Sequence, residues 1–74
     1  MVERRSLKKA EAGQEYIVTQ INTDDEEMKG FLFRLGCYKG EKLTLISVIN
    51  KNYVVLIKNT RYGIDEDLAE VILV

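Results

Sequence analysis

Apolar positions change their spacing midway along the chain, at Leu35-Gly36-Cys37-Tyr38-Lys39-Gly40. Before this stretch, Met28, Phe31, Leu32 and Leu35 recur at i, i+3, i+4 and i+7, one stripe of a helix. After it, Leu43, Leu45 and Ile49 fall on one face of a strand, and Thr44, Ile46 and Val48 on the other. Gly36 and Gly40 bracket the change, and glycine adopts left-handed backbone angles without a steric penalty. The pattern predicts a corner that swings a short helix across a small barrel.

The rest of the chain fits around that corner. Leu7 is the one apolar anchor of Ser6–Ala10, and Gly13 centres a turn. Residues 16–21, Tyr-Ile-Val-Thr-Gln-Ile, read as the first strand, with Ile17 and Ile21 on one face and Tyr16 and Val18 on the other. Thr23 and Glu26 have the spacing of a capping box, so a helix is expected from about Asp24 to Leu35. Its first turn is acidic and Arg34 lies in its last turn, both suited to the helix dipole. Gly30 sits inside it, off the stripe, at a cost of roughly 1 kcal/mol relative to alanine.

Residues 42–58 read as a hairpin about Asn50-Lys51-Asn52, since asparagine tolerates left-handed angles. Both its strands are apolar on both faces, as expected if one face fills a barrel and the helix covers the other. Asn59-Thr60-Arg61 turns again, Tyr62-Gly63-Ile64 is a short strand, and Asp65 caps a helical turn through Ala69. Glu70–Val74 reads as the closing strand. The expected fold is mainly β: one domain over residues 1–74, a small barrel of about five strands. One helix lies between strands 1 and 2, and a short helical turn precedes the last strand. Closure removes the exposed edges that an open sheet would leave.

Composition narrows the function. Lys and Arg number 11 against 12 Asp and Glu, without the basic excess usual in a nucleic-acid binder. There is no histidine, the commonest general base and transition-metal ligand. A single cysteine allows no intrachain disulfide and points to a reducing compartment. The polar start, Met1–Arg5, is expected to fray and lacks the apolar core of a signal peptide. No apolar run approaches the ~20 residues of a membrane helix. The expectation is a soluble cytoplasmic protein without membrane insertion.

Three segments carry a family resemblance across almost the whole chain. They are Ser6-Leu7 with Gly13; Leu32-Phe33-Arg34-Leu35-Gly36-Cys37-Tyr38-Lys39-Gly40; and Tyr62-Gly63-Ile64-Asp65 with Leu68-Ala69, Ile72 and Val74. In order and spacing the chain resembles the ferrous iron transport protein A (FeoA) family of small SH3-like barrels. Similar domains close iron- and manganese-dependent repressors. It departs from the family pattern at Cys37 and Lys39, where leucine and often proline stand, and its hairpin turn is shorter than the common loop. The resemblance implies a non-enzymatic accessory role in bacterial ferrous iron uptake. The implied partner is the cytoplasmic, GTP-binding part of a FeoB-type permease. The alternative is a small-barrel RNA- or ribosome-associated module.

Candidate chemistry is sparse. Cys37 reads as a packing residue, because no histidine is present to activate a thiol. The run Asp24-Asp25-Glu26-Glu27 reads as a helix start, since consecutive acids on a helix do not converge on one ion. Asp65, Glu66 and Asp67 read as a cap and a solvated turn. The family is associated with transition metals through iron transport, yet the sequence holds no His/Cys cluster. No catalytic, metal or cofactor residue is predicted, and no P-loop is present. The predicted partner-binding residues are Phe33, off the apolar stripe, with its neighbour Arg34 and the corner residue Tyr38. Lys39, Lys42, Lys51, Lys58 and Arg61 read as a solvated face able to steer an acidic partner.

Overall fold

Two tight turns organise the main sheet. Strand β3 (Lys42–Ile49) turns into β4 (Asn52–Ile57) through Asn50 and Lys51, at φ 50° and 66°. Strand β4 turns into β5 (Thr60–Ile64) through Lys58 and Asn59, at φ 50° and 67°. Two successive positive-φ residues are what a hairpin needs if its turn is to match the strands' right-handed twist. Strand β1 (Gln14–Ile17) pairs antiparallel with β3, giving the order β1-β3-β4-β5.

The computed structural model describes residues 5–74, so the expected fraying of the N-terminus lies, for residues 1–4, outside the described residues. Arg5 itself is fastened: its carbonyl accepts from the Val74 N–H at 2.9 Å.

The expected first strand is in fact two. After β1 the chain passes through Val18 and Thr19 into β2 (Gln20–Ile21), which pairs with β6 (Ile72–Leu73) in a separate two-stranded sheet. Val18 stays with the main sheet side, donating to the Glu41 carbonyl and accepting from Gly40 N–H. Thr19 donates instead to the Leu73 carbonyl at 2.8 Å. The switch of partner carries one stretch of chain from the four-stranded sheet into the two-stranded one, and it brings the strand count to six.

Helix α1 (Glu26–Leu35) begins two residues later than expected. Thr23 is not its cap. The Thr23 hydroxyl accepts from Asp25 N–H, and Asp25 Oδ1 accepts from Glu27 and Met28 N–H at 3.0 and 3.2 Å. Aspartate outranks threonine as an N-cap, and here it satisfies two of the otherwise unpaired donors. The helix ends at Gly36, φ 89°, whose N–H donates back to the Leu32 and Phe33 carbonyls. Helix α2 (Glu66–Val71) starts as expected, with Asp65 Oδ1 accepting from Leu68 N–H at 2.9 Å. It runs to Val71, so Glu70 and Val71 are helical and the closing strand is only β6.

The core consists of Leu7, Val18, Leu32, Cys37, Leu43, Leu45, Tyr53, Val55, Ile57, Ile64, Ala69 and Ile72, all buried. Two sequence expectations about it are corrected. Ile49 does not share the inner face with Leu43 and Leu45 but is 60% exposed. A β-bulge between Leu45 and Ser47 adds a residue to β3, so the alternation changes phase and Val48 instead faces buried Tyr53 across the ladder. Nor is the hairpin's outer face fully covered, since Thr44, Ile46, Val54 and Leu56 on it are only half-buried. Of the predicted stripe only Leu32 is fully buried. Leu35 packs on the core's margin, and Phe31 is 42% exposed.

Candidate protein-binding surface

The corner after α1 places the predicted residues. Gly36 takes the left-handed angle, and Cys37 N–H donates to the Leu32 carbonyl at 2.9 Å, drawing the next residue inward. Cys37 therefore enters the core, and burial pushes its thiol up from an ordinary value of 9.0 to about 11. A thiol held protonated in apolar surroundings is neither a nucleophile nor a ready metal ligand. Tyr38, one residue on, turns outward.

Phe33 and Tyr38 meet. Their ring centroids are 5.2 Å apart with planes inclined by 33°, within the range of favourable aromatic pairs. Phe33 is 66% exposed, the largest exposure among the described large apolar side chains. Arg34 does not join them: its side chain makes no hydrogen bond or ion pair among the described residues. Its guanidinium lies back along the helix, 3.9 Å from where a β-carbon on Gly30 would stand.

The residue that completes the corner is Lys58. Its Nζ donates to the Tyr38 hydroxyl at 3.0 Å and stands 4.0 Å from Glu41 Oε1. The ammonium is 5.2 Å from the ring centroid, which puts it off the hydroxyl end of the ring rather than over its face. Hydrogen bonding is thus the main interaction. That bond, and then the Glu41 charge, raise the Lys58 pKa above its ordinary value. The lysine stem also crosses Gly36. In the sequence Lys58 looks like one more solvated cation, because its contact with Tyr38 spans twenty residues. The local signal was limited to a turn at Asn59.

Beside Lys58 lies an open depression of about 420 Å³, lined by Glu15, Glu41, Lys42, Thr44, Leu56 and Lys58 among others. Its charges are mixed and exposed, so it offers a wet contact surface rather than a closed ligand pocket. Among the described residues no group of three or more His, Cys, Asp or Glu is placed to hold a metal ion. No described helix is long and apolar enough to cross a membrane.

The fold is a small SH3-like β-barrel, and its most exposed large apolar side chain, Phe33, pairs at the corner with a tyrosine held by a lysine. A model of the FeoA domain matches residues 5–74, and the chain belongs to the FeoA family. Membership implies involvement in ferrous iron uptake, and the family is one of small accessory domains rather than a known enzyme family. A crystal structure of the iron uptake regulatory protein FeoA superposes with a TM-score of 0.85 at 17% identity, covering 97% of this chain and 95% of that one. The NMR structure of a FeoA-like protein from Clostridium acetobutylicum gives 0.85 at 13% identity, covering 99% and 86%. A manganese-dependent transcriptional repressor gives 0.88 at 19% identity, covering 96% of this chain but only 40% of its own. At these identities the likeness is one of fold. No curated protein matches the chain.

Proposed function

We propose that this protein is a non-enzymatic, cytoplasmic accessory module of ferrous iron uptake, docking on the cytoplasmic part of a FeoB-type permease. The observation that carries the reading is the Phe33–Tyr38 pair, exposed at the barrel's corner and held by Lys58. Aromatic side chains held in place lose little freedom on binding, which makes them good interface anchors. Arg34, on the same helix turn, points back along α1 and is a peripheral cation rather than part of the anchor pair. Family membership supplies the iron-uptake setting, and the surface supplies the means of docking.

The test is a titration of labelled protein with the permease's cytoplasmic domain. Saturable binding is expected, weakened at least about tenfold, or roughly 1.4 kcal/mol, in a folded Phe33→Ala, Tyr38→Ala double variant. No saturable binding, together with normal iron uptake in a deletion strain, would sink the proposal. Normal binding by the folded double variant would remove this surface from it. Salt-sensitive retention on RNA, in place of permease binding, would favour the RNA-associated alternative.

A further inference from the structure

A second surface lies on the opposite flank of α1. An open groove of about 320 Å³ separates the starts of α1 and α2. Its apolar floor is Met28, Phe31 and Leu68. Met28 and Phe31 belong to the helical stripe whose other members, Leu32 and Leu35, engage the core, yet Phe31 is left 42% exposed. Four carboxylates line the walls: Asp25 and Glu27 from the α1 side, Asp65 and Asp67 from the α2 side. Asp25 and Asp65 each use one oxygen as a helix cap. None of the four is in an ion pair among the described residues, and no lysine or arginine lines the groove.

We infer that this groove receives a basic amphipathic segment of a partner protein, whose apolar side chains cover Met28, Phe31 and Leu68 while its lysines or arginines meet the four carboxylates. The walls repel anionic partners, so nucleic acid and anionic membrane do not fit. A simple counterion would answer the charge and leave the apolar floor wet. Only a ligand with both features satisfies the groove, and a helix with apolar residues at i, i+3, i+4 and i+7 carries them on one side. This inference uses none of the residues proposed to contact the permease, so the two readings fail separately.

The probe is a synthetic Leu/Lys helical peptide of about four turns, titrated into the full isotopically labelled chain and followed by amide NMR. Two control peptides replace Lys by Glu or Leu by Ser. Saturable shifts are expected at Glu27, Phe31, Asp67 and Leu68, with Tyr38 unmoved, for the Leu/Lys peptide only. Phe31→Ser and the pair Glu27→Lys, Asp67→Lys should each weaken binding at least about tenfold. These variants spare the caps Asp25 and Asp65, and their spectra report folding directly. Equal binding of either control peptide, or shifts centred elsewhere, would overturn the inference. So would full binding by Phe31→Ser, which would reduce the contact to charge alone.

Discussion

The same substitution, glycine to alanine, should have opposite effects at two sites six positions apart. At Gly30, inside α1, a β-carbon meets only the Arg34 guanidinium at 3.9 Å, an ordinary contact. The gain in helix propensity is then nearly undiluted, and Gly30→Ala should stabilise the protein by about 0.8–1 kcal/mol. At Gly36 the backbone is held at φ 89°. A left-handed alanine costs roughly 1–2 kcal/mol, offset by about 0.4–1 kcal/mol because alanine restricts the unfolded chain. The new β-carbon would also stand 3.4 Å from Ile57 Cγ2 and from Lys58 Cδ. The lysine can move, but Ile57 is buried and cannot readily give. Gly36→Ala should therefore lose about 1 kcal/mol or more. Gly40, at φ 93° with nothing within 4 Å of its β-carbon, separates strain from crowding and should lose less. In a domain of this size 1 kcal/mol moves the melting temperature by roughly 4–8 °C, so thermal and urea unfolding resolve all three variants. A Gly36→Ala protein as stable as the parent would refute the reasoning, as would a Gly30→Ala protein that is less stable.

Other expectations follow from the capping and the buried thiol. Asp25→Ala should cost about 1 kcal/mol in urea unfolding, whereas Thr23→Ala should cost less, because the aspartate alone holds the helix's first donors. Cys37 should resist alkylation at neutral pH in the folded protein and react once urea unfolds it. Its raised pKa also sets a sign. Below about 9.0 the thiol is protonated both folded and unfolded and contributes no pH dependence. As pH rises from there toward about 11, only the unfolded thiol ionises, and stability is lost, by roughly 2–3 kcal/mol at the upper end. Cys37→Ala should lack that component, so the stability difference between the two proteins should change with pH only in that window.

Features written in neighbouring residues were legible before the structure. Gly36 ended the helix, Asn50 and Lys51 made the hairpin turn, and Asp65 capped α2. Each depends on a few consecutive residues whose angles or side chains leave little choice. What escaped was set by pairing across the chain. The bulge at Leu45–Ser47 shows locally as adjacent apolar residues, Leu45-Ile46, which an alternating reading assigns to opposite faces. Only the register with β4 decides which face each takes. The split of the first strand depended on a partner, β6, more than fifty residues away. Helical periodicity placed Phe31 on the apolar stripe but could not say whether anything would cover it. Phe33 and Tyr38 were found because both lie at the corner; Lys58 arrives there from another hairpin, and Arg34, adjacent in sequence, turns away.

The switch of partner at Val18–Thr19 has a further consequence for how the chain can be cut and rejoined. By pairing β2 with β6, it brings the last residues back against the first: Ser6 bridges Leu73, and Arg5 holds Val74. A short linker from residue 74 back to residue 5 would then span little distance, and the backbone could be reopened at the exposed Asn50–Lys51 tip. The barrel is thus a candidate for circular permutation. It is also a unit that can be spliced into a longer chain with both junctions leaving from one pole and the aromatic corner unbroken.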